Sequence, residues 1–315
     1  FIYNETVIGG GKYYFGTTPS QYTSVRLGEF PNPNVGWEKA KKLNLGADLS
    51  FFNQLNISVD YFKENREGIF LQRKSIPMYV GLSTKPWVNI GKMRNSGIDA
   101  SLEYHQPLGK DLHLTVRGNF TYARNRIMDQ DEPDYAYTYM NHSGQMQWQK
   151  FGLVAAGLFQ DQEDIDSWAK QSFGEVKPGD IKYLDLNGDG IVDNYDTKPI
   201  GYSDIPEIVY GFGFSLQWKA FDLSAFFQGV AHVSFSTLTD QTQAFVGRNL
   251  KESSVFADLY GNTWTPENPG AKYPRMTTGA VDNNNQLSTF WMADGRYLRL
   301  KNLELGYTLP KRIAN

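Results

Sequence analysis

Residues 185–196, DLNGDGIVDNYD, set oxygen-bearing side chains at fixed intervals around two glycines. Asp185, Asn187, Asp189, Asp193 and Asp196 stand at positions 1, 3, 5, 9 and 12 of a loop, with Gly190 at position 6 and Ile191 at position 7. Calcium is a hard cation that gathers about six to eight oxygens. Alternate short carboxylates, a glycine at the sharp turn and a backbone carbonyl after it meet that need. The predicted ligands are Asp185, Asn187, Asp189, the carbonyl of Ile191, Asp193 and Asp196. Position 12 is an aspartate rather than the bidentate glutamate of a helix–loop–helix sensor, and Pro178 and Gly179 oppose an entering helix. The expected role is structural: a Ca2+ ion fixed in a long loop at 185–196. The alternative is an Asp/Asn/Gly-rich turn without metal.

A second constellation lies at 135–151, YAYTYMNHSGQMQWQKF. Tyr135, Tyr137, Tyr139 and Trp148 offer flat faces among amides, which suits sugar rings or peptide side chains; the alternative is packing of the loop on itself. Trp264, Trp291 and Tyr260 form a weaker candidate of the same kind. Catalytic patterns are not found. The sequence has no G-x-S-x-G elbow and no GxxxxGK[ST] loop. Gly9-Gly10-Gly11 reads as a flexible glycine run. His105 and His113 read as polar residues across a hairpin, without a third ligand at metal spacing. The acidic stretches 129–134 and 161–166 read as solvated loop charge, because nothing fixes two carboxyls at a working separation. The chain is therefore expected not to be an enzyme.

The chain has 315 residues, no cysteine and a formal net charge of −3 with both signs interspersed. It has no thiol chemistry of its own, and the interspersed charge argues against a nucleic-acid footprint, which would need a basic face. It begins at Phe1, which is expected of a mature form, a processed product or an excerpt. No window of about 18 apolar residues provides a transmembrane helix. A barrel strand needs only alternate apolar residues over about ten positions, so this pattern still allows a membrane protein.

The dominant period is two. Leu43, Leu45, Ala47, Leu49 and Phe51 share one face, and Leu55, Ile57, Val59 and Tyr61 repeat the pattern after a short connection at Asn53-Gln54. Ile98 to Tyr104, Leu112 to Tyr122, Ile208 to Trp218, Phe221 to Phe227 and Leu303 to Leu309 alternate likewise. In the last, the phase shifts near Lys301-Asn302, where a bulge would reconcile the halves. Short connections at 53–54, 107–111 and 219–220 alternate with long ones at 73–91, 127–205 and 237–295. Outer-membrane barrels show this asymmetry, with short periplasmic turns and long extracellular loops. Asp60, Asp99, Glu103, Arg117 and Asp222 on the polar face suit a wet lumen, and Tyr61, Phe62, Tyr104, Tyr122, Trp218 and Phe221 gather near strand ends as an interfacial girdle would. The expected class is all-β, about seven to nine antiparallel strands of a transmembrane barrel with long extracellular loops. A large soluble β-sandwich is the alternative.

Six segments then carry a family resemblance. They are GWEKAKKLNLGAD (36–48), VDYFKENREGIFL (59–71), NIGKMRNSGID (89–99), GDIKYLDLNGDGIVDNYDTKPIG (179–201), PEIVYGF (206–212) and DGRYLRLKNLELGYTLP (294–310). In order and spacing they resemble the C-terminal barrel half of SusC/RagA-type TonB-dependent outer-membrane transporters. The resemblance implies a barrel of about 22 strands filled by an N-terminal plug. It implies location in the cell outer membrane, energy from the TonB–ExbB–ExbD complex through the plug, and a SusD-like lipoprotein lid. Residues 1–315 then form part of the barrel domain, with plug and terminal strands absent, as an excerpt of a longer polypeptide. The implied activity is active import of a nutrient oligomer, glycan or peptide, across the outer membrane, with outer-membrane lipid around the barrel. The rival from another class is a secreted, calcium-stabilised β-rich glycan-binding or adhesion protein.

Overall fold

The computed structural model describes residues 4–17, 20–82, 84–239, 255 and 257–309. Part of the 237–295 connection and Pro310 of the last motif lie outside the described residues. Strands β1 (Val7–Phe15) and β2 (Ser20–Leu27) form a separate antiparallel hairpin. The glycine run read as flexible lies within β1, where the register shifts between Gly9 and Lys12.

The main sheet has seven strands: β3 (Lys39–Phe51), β4 (Leu55–Gln72), β5 (Trp87–Pro107), β6 (Leu112–Asp129), β7 (Ile208–Trp218), β8 (Phe221–Ala231) and β9 (Tyr297–Tyr307). They lie in sequence order and every neighbouring pair is antiparallel, an up-and-down meander. Each is a strand that the alternation marks. The predicted bulge is present: Phe226 pairs with Asn302 and Phe227 with Leu300, so Lys301 is the extra residue. At the first short turn, Phe52 and Asn53 both have positive φ (54° and 53°), as a tight hairpin turn requires.

Register aligns the apolar positions across the sheet. One row is Leu49, Ile57, Leu102, Gly118, Phe212, Phe227 and Leu300; the next is Ala47, Val59, Ala100, Phe120, Tyr210, Gly229 and Leu298. Between them run polar positions on the other face, such as Asp48, Ser58, Ser101, Asn119 and Gln228. Among the described residues nothing covers the apolar face. Phe212, Leu300, Leu303 and Leu305 are 45, 49, 65 and 79% exposed, which excludes a sandwich stacked through these residues. At the short-turn end Trp218, Phe221 and Tyr307 pack in file, with ring centroids 6.3 and 4.7 Å apart. The β7–β8 turn lies four residues beyond the row that holds the β3–β4 turn, four strands away. At about 3.3 Å per residue and 4.8 Å per strand, that stagger corresponds to a strand tilt of about 35°, as a closed barrel wall demands. The sheet itself does not close; β3 and β9 are its edges.

The strands outrun the alternation. β4 runs to Gln72, β5 starts at Trp87 and β6 ends at Asp129, so the first long connection shrinks to 73–86 and the second is displaced to 130–207. Past Tyr61 and Tyr122 the outward side chains turn polar, but the backbone ladder continues. An arginine at the apolar midplane is expected to destabilise a lipid-embedded sheet by about 2–4 kcal/mol. Leu102→Arg should therefore lower the unfolding free energy of the full-length protein in vesicles, read from urea titration, by that amount, while Ser101→Arg on the opposite face should change it far less.

Candidate functional site

The best-buried core lies outside the sheet, in the long connections. Leu153, Leu158, Ile181, Tyr183, Val192, Trp264 and Trp291 form one cluster, with Ile181, Tyr183 and Val192 fully buried. Short strand pairs order it. Ile181–Tyr183 pairs antiparallel with Ala155–Leu158, and Ile191–Val192 pairs parallel with Lys170–Gln171. Period two thus recurs on a small scale: Ile181 and Tyr183 point into the core while Lys182 points out, its Nζ 2.8 Å from Asp164 Oδ1 and over the Trp168 ring at 4.4 Å.

Asp180 joins the two connections. Its carboxylate is fully buried and accepts from Arg275 Nη2 (3.1 Å), Asn284 Nδ2 (2.9 Å) and the Lys177 N–H (2.8 Å); Arg275 Nε stands 2.8 Å from its Oδ1. Gly179 is obligatory beside it: φ is 88°, and a Cβ would stand 2.4 Å from the Trp264 ring. The hydroxyl of Tyr183 donates to the Asn283 carbonyl (2.9 Å), and burial holds its pKa above the ordinary phenol value.

The predicted calcium loop leaves this core directly. The Gly188 and Gly190 N–H groups donate to Asp185 at 2.7 and 2.8 Å, the Asp189 N–H to Asn187 at 2.9 Å and the Ile191 N–H to Asp189 at 2.8 Å. Gly188 and Gly190 have φ of 77° and 85°, which the turn requires. Asp196 is fully buried and accepts from the N–H groups of Leu186 (2.6 Å), Asn187 (3.3 Å) and Asp193 (2.8 Å). Asp193 caps the short 3-10 turn Asn194–Asp196 through the Tyr195 N–H (2.7 Å). Among the described residues none of these four aspartates has an ion-pair partner. The donor set is all oxygen and its charge is unbalanced, which fits a divalent cation chemically. Among the described residues no three Asp, Glu or His side chains are grouped so as to hold an ion as they lie. Backbone N–H groups orient the carboxylates here.

The aromatic segment packs on this loop, which the sequence did not foretell. Tyr137 stacks on Tyr139 (5.3 Å) and meets Tyr195 edge-on (6.2 Å), and the Tyr139 hydroxyl donates to the Tyr195 carbonyl (2.7 Å). Burial first, then the charges of Asp196, Tyr137, Asp185 and Asp189, keep the Tyr139 phenol protonated above its usual range. Tyr135 leans on His142, which stacks on Phe151 at 3.9 Å. Trp148 is 63% exposed with φ of 66°, so of the four predicted ligand-facing aromatics it is the one offered to solvent. In the weaker group, Trp264 and Trp291 are core residues and cannot stack on a ligand, whereas Tyr260 is 83% exposed.

Of the two acidic stretches read as solvated charge, Asp134, Glu163 and Asp166 are exposed, while Asp131, Asp161 and Asp164 have structural partners. Asp161 caps the helical turn Gln162–Asp166 by accepting from the Asp164 N–H (2.8 Å), and Asp164 pairs with Lys182. Asp131, at φ 55°, accepts from the N–H groups of Lys74 (2.7 Å) and Ser75 (3.1 Å) and pairs with Arg73 (3.2 Å), clamping the β4–β5 connection to the end of β6. His105 bonds Thr115 rather than facing His113.

The family model described as "TonB dependent receptor-like, beta-barrel" matches residues 8–314. TonB-dependent receptor P3 of Formosa agariphila is 29% identical over 98% of this chain and 31% of its own length. TonB-dependent receptor SusC of Bacteroides thetaiotaomicron is 24% identical over 94% of this chain and 28% of its own length. A solved RagAB peptide importer in the open-open state superposes with a TM-score of 0.70 at 21% identity, covering all of this chain and 32% of that one. This chain thus spans about a third of the length of the curated relatives it matches.

Burial opposes ionisation of Asp131 most strongly, but Arg73, Ser75 and Lys74 together hold its pKa down to about 2. Its folded pKa lies below the unfolded value of about 3.9, so its contribution is complete above about pH 4 and lost as pH falls through 2. Asp131→Asn should make 73–86 easier to cleave by protease at pH 7 and remove the extra cleavage that wild type gains between pH 4 and 2. Truncating Asp180 leaves Arg275 without its buried partner. Asp180→Ala should therefore destabilise the loop body by about 3–5 kcal/mol, read as lost hydrogen-exchange protection at both 153–192 and 264–291 with the barrel strands unchanged.

Proposed function

The chain belongs to the TonB-dependent receptor β-barrel family, whose barrels are outer-membrane transporters rather than enzymes, and from that premise we propose that it serves active import of a nutrient oligomer, a glycan or a peptide. The proposal includes a plug and further strands elsewhere in the polypeptide, energy delivered through that plug by the TonB–ExbB–ExbD complex, and a SusD-like surface lipoprotein as lid. One observation carries the reading. The seven-stranded wall is apolar outside and polar inside, and its long connections fold into a body with its own core. A wet inner wall moves a polar oligomer without dissolving it in hydrocarbon. A folded loop body can present a site on stable supports.

Trp148 and Tyr260 are the exposed aromatics we assign to first contact with cargo. Tyr137 and Tyr139 act one step back, fixing the segment that carries Trp148 against the 185–196 loop. That the structurally similar RagAB is a peptide importer favours peptide among the two cargo classes. A secreted adhesion protein would need some cover for the exposed apolar rows, and nothing in the sheet supplies it.

Uptake of labelled oligosaccharides and labelled peptides by cells with and without the full-length protein tests this. One class should accumulate only with the protein and stop when a protonophore collapses the membrane potential. Trp148→Ala should raise the half-saturating concentration several-fold with little change at saturation. Accumulation that ignores the protonophore would defeat active import.

We assign Ca2+ to Asp185, Asn187, Asp189, the Ile191 carbonyl, Asp193 and Asp196 as a structural ion. It would neutralise four unpaired carboxylates and tie Tyr195, with Tyr137 and Tyr139 on it, to the core. Excess chelator should lower the melting temperature of the loop body by several degrees, and calcium in preference to magnesium should restore it. Melting that is the same in chelator and in calcium would leave the loop a metal-free turn.

A further inference from the structure

Beyond Tyr61 on β4 and Tyr122 on β6 the outward face changes chemistry. The next outward row reads Leu43, Lys63, Ser96 and Arg124, and the one after it Lys41, Asn65, Arg94 and Arg126. Five cations thus fill two rows over four strands with no carboxylate between them. The row beyond is mixed, with Lys39, Glu67, Lys92 and Asp129.

The inward face at the same level is neutralised internally. Lys42 pairs with Glu64 at 3.3 Å, and Arg66 with Glu64 and Glu38 at 2.7 Å each. Outside, Arg124 is held by Glu207 at 2.6 Å. Among the described residues Arg94 finds only the amide oxygen of Asn65 (3.0 Å) and Arg126 only the carbonyl of Gly144 (2.9 Å). Lys41, Lys63, Arg94 and Arg126 have no ion pair among the described residues. Arg94, Arg124 and Arg126 border an outward-facing concavity of about 320 Å³ together with Tyr61, Ser96 and Tyr122.

Tyrosines of a barrel wall mark the boundary between hydrocarbon and headgroups. These cations stand immediately past that boundary, on the side of the long connections and facing away from the lumen. That is the outer-leaflet headgroup layer. Guanidinium forks match phosphate oxygens in pairs, and the small Ser96 keeps the floor between them open. We propose that this patch is a binding site for the phosphate groups of anionic outer-leaflet lipids, with Arg94 and Arg126 as its principal ligands and Lys41 and Lys63 at its rim. The proposal rests on the outer-membrane reading of the fold. Charge complementarity selects the lipid: the patch is cationic, it lies where headgroups lie, and cargo in the lumen cannot reach it.

Fluorescent phosphatidic acid, titrated into the full-length protein in phosphatidylcholine nanodiscs, tests it. Each cation near an anionic surface strengthens binding about fivefold. Arg94→Gln with Arg126→Gln should weaken binding roughly tenfold or more, Arg94→Lys with Arg126→Lys, which keeps the charge and loses the forks, should fall between that pair and wild type, and Arg117→Gln on the inward face should change nothing. Wild-type binding should also fall steeply with salt, a readout that needs no variant. Equal binding of a phosphatidylcholine probe, or an unchanged Gln pair, would overturn the proposal. So would complete displacement by millimolar inorganic phosphate, which would mark a free-anion site. Heat-modifiable gel mobility of the wild type reports the barrel separately, so its absence would count against the membrane reading and not merely against the lipid site.

Discussion

A backbone in hydrocarbon cannot leave its N–H and C=O groups unpaired, and this requirement organises the chain. It explains an unbroken antiparallel meander of seven strands, each bonded to its sequence neighbours, joined at one end by turns too short to admit error. It also explains why period two dominates. Once the ladder is fixed, alternate residues face lipid or lumen, and selection of apolar and polar residues follows. The two unpaired edges, β3 and β9, obey the same requirement only when further strands flank them. A sheet of this kind holds little core of its own; its greasy rows depend on the membrane to cover them.

The long connections solve the opposite problem. They stand in water, where no lipid hides apolar groups, and so they build a conventional core around Tyr183, Ile181, Val192 and Trp291. Asp180 lies at its centre and converts two distant connections into one body through Arg275 and Asn284. The 185–196 loop and the aromatic segment at 135–151 then rest on that body. Positioning of the candidate site is thus a property of buried polar bonding rather than of the barrel wall.

The sequence disclosed the wall well and its attachments poorly. Alternation located all seven strands and even the extra residue at Lys301, because lipid on one side and water on the other write a pattern of period two. It understated β4, β5 and β6, since above the tyrosines neither face needs apolar residues while pairing continues. Aromatic content alone could not separate Trp148 and Tyr260 from Trp264 and Trp291. All four stand in irregular segments, and burial there depends on contacts made across nearly a hundred residues. Distance along the chain likewise hid Asp131 and Asp180, whose arginine partners lie 58 and 95 residues away. An aspartate that clamps a remote arginine looks, in one dimension, like any loop carboxylate. The glycine-spaced loop at 185–196 was legible at Gly190, which takes the turn conformation its loop position implied; Gly188 takes one as well.

The Asp180 junction also constrains how such a protein can change. Its partners lie 95 and 104 residues downstream, on a different excursion of the chain. A loop transplanted alone from a relative would arrive without its counterpart and leave a buried charge stranded. Recombination or engineering that retargets the molecule must move both excursions as a matched set, so diversification here proceeds by exchange of pairs rather than of single segments.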